Sequence, residues 1–296
     1  MTAKILDGYA LAAERTIQLK AELSRWQAAG GRMPGLAVIL VGEDEASVLY
    51  TQRKHERCLE LNYVARHYQF PEDVAEAEVI NLVKELNRDP VIDGILVQLP
   101  LPKHWDLEAL LGQIAIEKDV DGFNPFNVGQ ASWNWPGFIS CTARGILQML
   151  DYTKVSLEGA NTLMIGASNL VGKPMTLELL KRNATVTVAH KFTKNLAELV
   201  QGADILISAV GHKHLIPGTW IKPGATVIDV GITRENHGAN IYGDVEFEVA
   251  KERAAWITPV PGGVGPMTVQ NLMENTWIAC RHREQARHAK TVDRDF

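Results

Sequence analysis

Three cysteines in 296 residues, Cys58, Cys141 and Cys280, are too few and too irregularly spaced for a disulfide framework. With no C-x-x-C pair they also argue against a structural zinc site, and they fit a reducing cytoplasm. No apolar run approaches the roughly 20 residues needed to span a bilayer. The start, Met-Thr-Ala-Lys-Ile-Leu-Asp-Gly, shows no apolar core and no small-residue cleavage site, so secretion is not expected. A basic excess is missing as well. The 30 Lys and Arg against 35 Asp and Glu give a net charge of −5, which excludes a general nucleic-acid binder built on a basic face. Low-complexity stretches and internal repeats are absent. What remains is an ordinary globular balance, 46% hydrophobic and 22% charged, in a chain long enough for about two domains and a full core without staples.

Helical spacing of Ala12, Leu19, Leu23 and Trp26 predicts an amphipathic helix over 8–28, ended by Gly30, Gly31 and Pro34. Short apolar runs then alternate with helical patterns. Strands are expected at 36–41, 64–69, 92–97, 161–165, 185–189, 204–209 and 225–230. Helices are expected at 46–61, 74–87, 107–115, 170–182, 194–201 and 267–287, with a frayed, charged tail after Arg281. The run 36–41 contains no polar residue, as a strand covered on both faces requires. Such alternation means βαβ units and parallel sheets. An irregular stretch, 124–140, separates two series, so the boundary is placed near 140. The expected domains are 1–140 with 267–296, and 141–266.

Several segments can carry chemistry. Ser47, Tyr50 and Lys54 share one face of a helix at their spacing. Lys54 can act as a base only if burial or nearby cations lower its pKa well below about 10.4. The same spacing also suits a surface helix with basic side chains lying along it. Gln98 leaves the end of the 92–97 strand ahead of Leu-Pro-Leu-Pro102. Ligands bind at the carboxyl ends of parallel strands, so Gln98 is either a ligand-facing group or a solvated strand terminator. In Lys118-Asp-Val-Asp121-Gly-Phe-Asn-Pro125 the two acids suit an Asx turn. No His follows at ligand spacing, so no metal is expected, and Asp121 alone can recognise a ligand's N–H groups.

Gly166-Ala167-Ser168-Asn-Leu-Val-Gly172 lies between a predicted strand and a predicted helix. There a glycine turn brings phosphates to a helix N-terminus, although Ser168 takes the second glycine's place in the usual fingerprint. The following strand ends in His190-Lys191. A lysine where NAD sites usually carry an acid favours the 2′-phosphate of NADP. Five turn-formers in six residues, Pro261, Gly262, Gly263, Gly265 and Pro266, shape a loop suited to close backbone approach by a ligand.

Taken in order, Asp93-Gly-Ile-Leu-Val-Gln-Leu-Pro-Leu-Pro102, Lys118-Asp-Val-Asp-Gly-Phe123 and Pro259-Val-Pro-Gly-Gly-Val-Gly-Pro-Met-Thr268 resemble the bifunctional methylenetetrahydrofolate dehydrogenase/methenyltetrahydrofolate cyclohydrolase family. The resemblance runs from about residue 5 to 280. It implies an α/β fold of two domains: a parallel-sheet N-terminal catalytic domain and a Rossmann-like NADP-binding domain, with a cleft between them that brings substrate and nicotinamide together. It implies NADP-dependent oxidation of methylene- to methenyl-tetrahydrofolate, then hydrolysis to formyl-tetrahydrofolate, in a cytoplasmic homodimer of one-carbon metabolism and purine biosynthesis. By position, Lys54 handles the proton of the attacking water, Gln98 holds and tunes Lys54, Tyr50 packs on the pterin, and Asp121 binds its N–H groups. Gly166, Ala167, Ser168 and Ile232 contact NADP, with Lys191 near the 2′-phosphate, while Pro261, Gly262 and Gly263 border the substrate. A cis bond before Pro100 or Pro261 is implied too. Departures from the family pattern are Asn124 for a usual His, Ser140-Cys-Thr-Ala143 for Pro-Cys-Thr-Pro, and Ser132-Trp-Asn-Trp135. A monofunctional dehydrogenase and a non-catalytic folate- or nucleotide-binding paralogue are the alternatives; intact Tyr50, Lys54, Gln98 and Asp121 disfavour the second.

Overall fold

The computed structural model describes residues 2–235 and 240–292. The chain opens with β1 (Lys4–Ile5) and α1 (Gly8–Ala28), then alternates β2 (Gly35–Val41), α2 (Glu45–Glu60), β3 (Val64–Phe70), α3 (Glu76–Arg88) and β4 (Gly94–Val97). Helices α4 (Leu107–Leu111), α5 (Pro125–Ser132) and α6 (Cys141–Thr153) follow. A second alternation comprises β5 (Asn161–Ile165), α7 (Gly172–Lys181), β6 (Thr185–Ala189), α8 (Leu196–Gly202), β7 (Ile205–Ser208) and β8 (Thr226–Asp229). The hairpin strands β9 (Thr233–Glu235) and β10 (Asn240–Tyr242), α9 (Phe247–Ala250), β11 (Trp256–Ile257) and α10 (Val264–Val292) complete it.

Two compact units result. One comprises 16–141 with 271–296, the other 1–15 with 142–270. The first contains a three-stranded parallel sheet in the order β3-β2-β4. Every residue of β2 is buried, because both faces are covered. Leu36 and Val38 face Leu19, Leu23, Cys58, Met273 and Trp277. Ala37, Ile39 and Val41 face Val79, Val83, Leu86 and Leu110. The two-residue alternation of a strand sorts them, and each large aliphatic side chain so buried contributes about 1.5–3 kcal/mol.

The second unit holds a six-stranded sheet in the order β1-β11-β8-β7-β5-β6. All its pairings are parallel. Leu163, Ile165, Leu206, Val227 and Ile257 form its core. Open parallel sheets of this kind bind ligands at the carboxyl ends of their strands.

Several expectations need correction. Residues 1–15 count with the six-stranded sheet rather than with the first domain, since β1 pairs with β11; a two-residue strand leaves no periodicity to read. The 124–140 stretch contains α5, and α6 carried no expectation at all. Helix α4 stops at Leu111, where the glycine at 112 takes the cap position. The tail after Arg281 continues as helix to Val292. Ion pairs hold it: Arg283 to Asp93, and Glu284 to both Arg32 and Arg287. Both Leu99–Pro100 and Val260–Pro261 are cis. No helix among the described residues is long and apolar enough to cross a membrane.

Candidate active site

Helix α2 begins with a side-chain cap. Asp44 Oδ2 accepts hydrogen bonds from the Ser47 amide at 2.9 Å and the Ser47 hydroxyl at 2.8 Å. The helix then buries Ser47, Thr51, Lys54 and Cys58 along one face. Tyr50, one turn before Lys54, lies half-buried beside that face. A lysine on the buried side of an amphipathic helix needs a partner. Gln98 supplies it: Lys54 Nζ donates to Gln98 Oε1 at 2.7 Å.

The amide of Gln98 cannot present its other end. Its Nε2 donates to the Leu99 carbonyl at 2.7 Å, and its backbone N–H continues the ladder to the Ile39 carbonyl at 2.8 Å. The oxygen therefore faces the lysine. Only 8% of Lys54 is exposed, and burial lowers its pKa from the ordinary lysine range. The charges of Asp121 and Cys141 oppose that shift.

Asp121 follows the buried turn formed by Lys118 and Asp119. Lys118 Nζ donates to the Leu86 and Asp89 carbonyls, each at 2.7 Å, which is a structural task. Asp119 takes the turn role: it accepts from the Asn124 amide and Asn127 Nδ2, both at 2.8 Å, and from the Phe123 amide at 3.2 Å. Asp121 is left to face Lys54. Burial pushes its carboxyl above the usual range and Asp119 adds to the rise, while Lys54 and the neighbouring Cys141 pull it back. Burial draws amine and carboxyl toward their neutral forms, while the charge of each opposes the other's shift.

Two residues that hold this segment escaped sequence reasoning. Cys141 Sγ donates to the Val120 carbonyl at 3.2 Å, and Asn275 Nδ2 donates to the same oxygen at 2.8 Å. Asn275 is fully buried on α10 beside Gln270, Asn271 and Thr276. Polar residues among the apolar ones in the first half of α10 were the available signal.

In the other unit, β5 ends at a tight turn. Gly166 has φ +109°, and a Cβ there would lie 2.5 Å from the Ala209 carbonyl oxygen. A Cβ on Gly172 would come within 2.0 Å of the Gly166 oxygen, so α7 starts directly against the turn. Ser168 is exposed there, and its hydroxyl accepts from the Val171 amide at 3.2 Å. Ala167 is half-buried beside it. The first turn of α7 carries no acid, which keeps its positive end available to phosphate.

At the end of β6, His190 to Thr193 form a closed turn, with Thr193 Oγ1 accepting from the His190 amide at 2.9 Å. Lys191 projects there, its Nζ 5.0 Å from the Phe192 ring centre. Ile232 is exposed beyond β8. The loop at 261–263 uses its glycines on its own chain. Gly8 donates to the Gly262 oxygen at 2.8 Å, and a Cβ on Gly8 would lie 1.7 Å from the Gly263 oxygen. Lys54, Gln98 and Asp121 thus gather in one unit, and the glycine turn, Lys191, Ile232 and the Pro261–Gly263 loop belong to the other.

The family model for the catalytic domain of tetrahydrofolate dehydrogenase/cyclohydrolase matches residues 6–121, and that for its NAD(P)-binding domain matches 140–284. The chain belongs to this family. Among solved structures it is similar to the bifunctional FolD methylenetetrahydrofolate dehydrogenase/cyclohydrolase of Campylobacter jejuni. Identity is 41% and the TM-score 0.91, over 95% of this chain and 99% of that one. The FolD of Trypanosoma brucei, solved with NADP cofactor and inhibitor, matches at 36% identity and TM-score 0.92, over 96% and 99% of the two chains. A 5,10-methylenetetrahydrofolate dehydrogenase of the silkworm Bombyx mori matches at 39% and 0.89, over 96% and 99%. The tetrahydrofolate dehydrogenase/cyclohydrolase fold therefore spans nearly the whole chain, and its NAD(P)-binding domain coincides with the strand–glycine turn–helix at 161–181.

Proposed function

We propose that this chain oxidises methylene-tetrahydrofolate to methenyl-tetrahydrofolate with NADP and hydrolyses the product to formyl-tetrahydrofolate. The observation that carries the hydrolytic half is the buried Lys54 amine held at 2.7 Å by Gln98 and lowered in pKa by that burial. Water adds to the methenyl carbon, and one of its protons must leave. Neutral Lys54 takes it, and the carbon–nitrogen bond then opens to give the formyl product. Gln98 accepts from the amine and so aims its lone pair. Tyr50 packs against the pterin, and Asp121 accepts from its N–H groups.

NADP supplies the hydride acceptor when bound. Gly166, Ala167 and Ser168 would hold its pyrophosphate side, Lys191 its 2′-phosphate and Ile232 its nicotinamide side. The turn fits, because no side chain at 166 fills the space beside the α7 N-terminus. We read Pro261, Gly262 and Gly263 as bordering the substrate, 1–140 as chiefly folate-binding and 141–266 as NADP-binding. We further propose a cytoplasmic homodimer feeding one-carbon units to purine biosynthesis. An absorbance assay supplied with methylene-tetrahydrofolate and NADP tests the activity. NADPH formation with transient methenyl accumulation is expected. NADPH formation with methenyl persisting at its non-enzymatic rate of decay would leave a dehydrogenase alone. The absence of both signals would refute the oxidation, and added methenyl-tetrahydrofolate decaying no faster than without enzyme would refute the hydrolysis.

A further inference from the structure

Two carboxylates that the reaction above does not use are buried at the carboxyl end of the six-stranded sheet. Strands β7 and β8 pair so that Ser208 stands opposite Asp229. Asp244 follows the β9–β10 hairpin and enters at these strand ends, fully buried. Its Oδ2 accepts from the Ser208 hydroxyl at 2.7 Å and the Val210 amide at 2.8 Å, and its Oδ1 from the His212 amide at 2.8 Å. Asp229 Oδ1 accepts from the amides of Gly231 and Asp244, both at 3.0 Å, and its Oδ2 from the Val245 amide at 2.8 Å. Among the described residues, neither carboxylate has an ion-pair partner.

A buried carboxylate without a cation is costly unless hydrogen bonds saturate it. Here three of the six donors, the amides of Val210, His212 and Gly231, come from the loops that leave β7 and β8. Two glycines make room for the arrangement. A Cβ on Gly231 would lie 1.9 Å from Asp244 Oδ1, and one on Gly243 would lie 2.1 Å from Asp229 Oδ2. The loop fixed by Asp244 also packs against the glycine turn, through the Ala209 oxygen beside Gly166. Strand-end loops of an open parallel sheet are where a nucleotide cofactor binds. Burial and the neighbouring Asp244 charge push Asp229 up to about 7, against the pull of its three amide donors.

We propose that Asp244 is a positioning residue for cofactor binding: its carboxylate fixes loop 209–212, while its backbone amide joins Asp229, which holds loop 230–232, so that both are preformed to receive NADP. The inference rests on the NADP-dependent activity proposed above and extends it to residues that touch neither cofactor nor substrate.

The test is Asp244→Asn, which keeps size but turns one acceptor into an amide donor facing donors. NADP affinity, measured by calorimetric titration without folate, is expected to fall at least tenfold. KM for NADP should rise by a similar factor with a smaller change in kcat. Hydrolysis of added methenyl-tetrahydrofolate should stay within twofold of the parent. Ser208→Ala removes one donor and leaves the carboxylate in place. It should weaken NADP binding several-fold, and it decides the matter if Asp244→Asn does not fold. Unchanged NADP affinity in Asp244→Asn, or in Ser208→Ala where that variant stands in, overturns the proposal. So does a loss of hydrolysis equal to the loss of NADP affinity. A parent protein that does not bind NADP fails the underlying activity, and the inference falls with it; a parent that binds while the variants bind equally fails the inference alone.

Discussion

Replacing Lys54 by methionine should remove hydrolysis and stabilise the protein at once. Methionine keeps the length of the lysine stem, so the buried face of α2 formed with Ser47, Thr51 and Cys58 stays filled. The amine is lost, and with it the acceptor for the water proton. A positioned general base contributes about 10²–10⁴-fold, so the hydrolytic rate should fall by at least the lower figure. Stability moves the other way. Burial lowers the pKa of Lys54, meaning that the fold disfavours its charged form. Between that lowered value and the ordinary lysine value near 10.4, the native state binds fewer protons than the unfolded chain, so parent stability rises with pH across the window. Below it the full penalty is present. Methionine removes that penalty and leaves Gln98 half-open to water, which replaces the lost donor. Apolar replacement of buried charge gains roughly 1 kcal/mol or more, or about 2–4 °C in Tm per kcal/mol for domains of this size. The assays are methenyl decay and a thermal melt at pH 7. Hydrolysis within a few-fold of the parent would refute the proton-acceptor role. A lower Tm with loss of folate binding would show Lys54 to be structural.

Three further outcomes are expected. Asp121→Asn removes the charge that props up the Lys54 pKa, so the acid limb of hydrolysis should move to lower pH; an unmoved or raised limb in a pH–rate profile would show that Asp121 is not charged beside Lys54. Lys191→Glu should cut the NADP over NAD preference in kcat/KM by about 10–100-fold, the worth of a charged hydrogen bond, and an unchanged ratio would remove Lys191 from the 2′-phosphate. Asp93→Asn should destabilise by about 3–5 kcal/mol in urea unfolding with an unchanged m-value, since fully buried Asp93 accepts from Arg32 twice and Arg283 once, all at 2.6 Å; a loss under 1 kcal/mol would contradict that weight.

Local signals carried much of the fold. β2 was readable because seven consecutive residues are buried on both faces, which leaves an unbroken apolar run. The spacing of Tyr50 and Lys54 and the glycine turn at 166 were readable because a helix face and a strand–turn–helix are defined over few residues. What stayed hidden depends on partners far along the chain. The end of α10 is helical because Arg283 reaches Asp93, 190 residues away. Asn275 reaches the Val120 carbonyl across 155 residues, and β1 exists because it lies beside β11. The glycines at 262 and 263 suggested approach to a ligand, whereas part of that closeness is to Gly8. The short helix α5 was masked by its flanking prolines and glycines, whose usual meaning is irregular chain.

The departures from the family pattern fall on scaffolding rather than on Lys54, Gln98 or Asp121. Asn124 caps α5, accepting from the Phe126 amide at 2.8 Å and donating to the Ile114 carbonyl at 2.9 Å. Asparagine is among the best residues for that position, and here it also pins the turn whose other acceptor is Asp119. Ala143 lies buried in the first turn of α6, where backbone N–H groups have no helical partner, so proline and alanine meet the same backbone demand. Cys141, between Ser140 and Thr142, keeps its bond to the Val120 carbonyl. Trp133 and Trp135 are exposed with ring centres 6.1 Å apart, and nothing in the structure explains them. The bonds next to Asp121, from Cys141 and Asn275 to the Val120 carbonyl and from the Asn124 backbone amide to Asp119, use groups that neither the departure at 124 nor that at 143 removes.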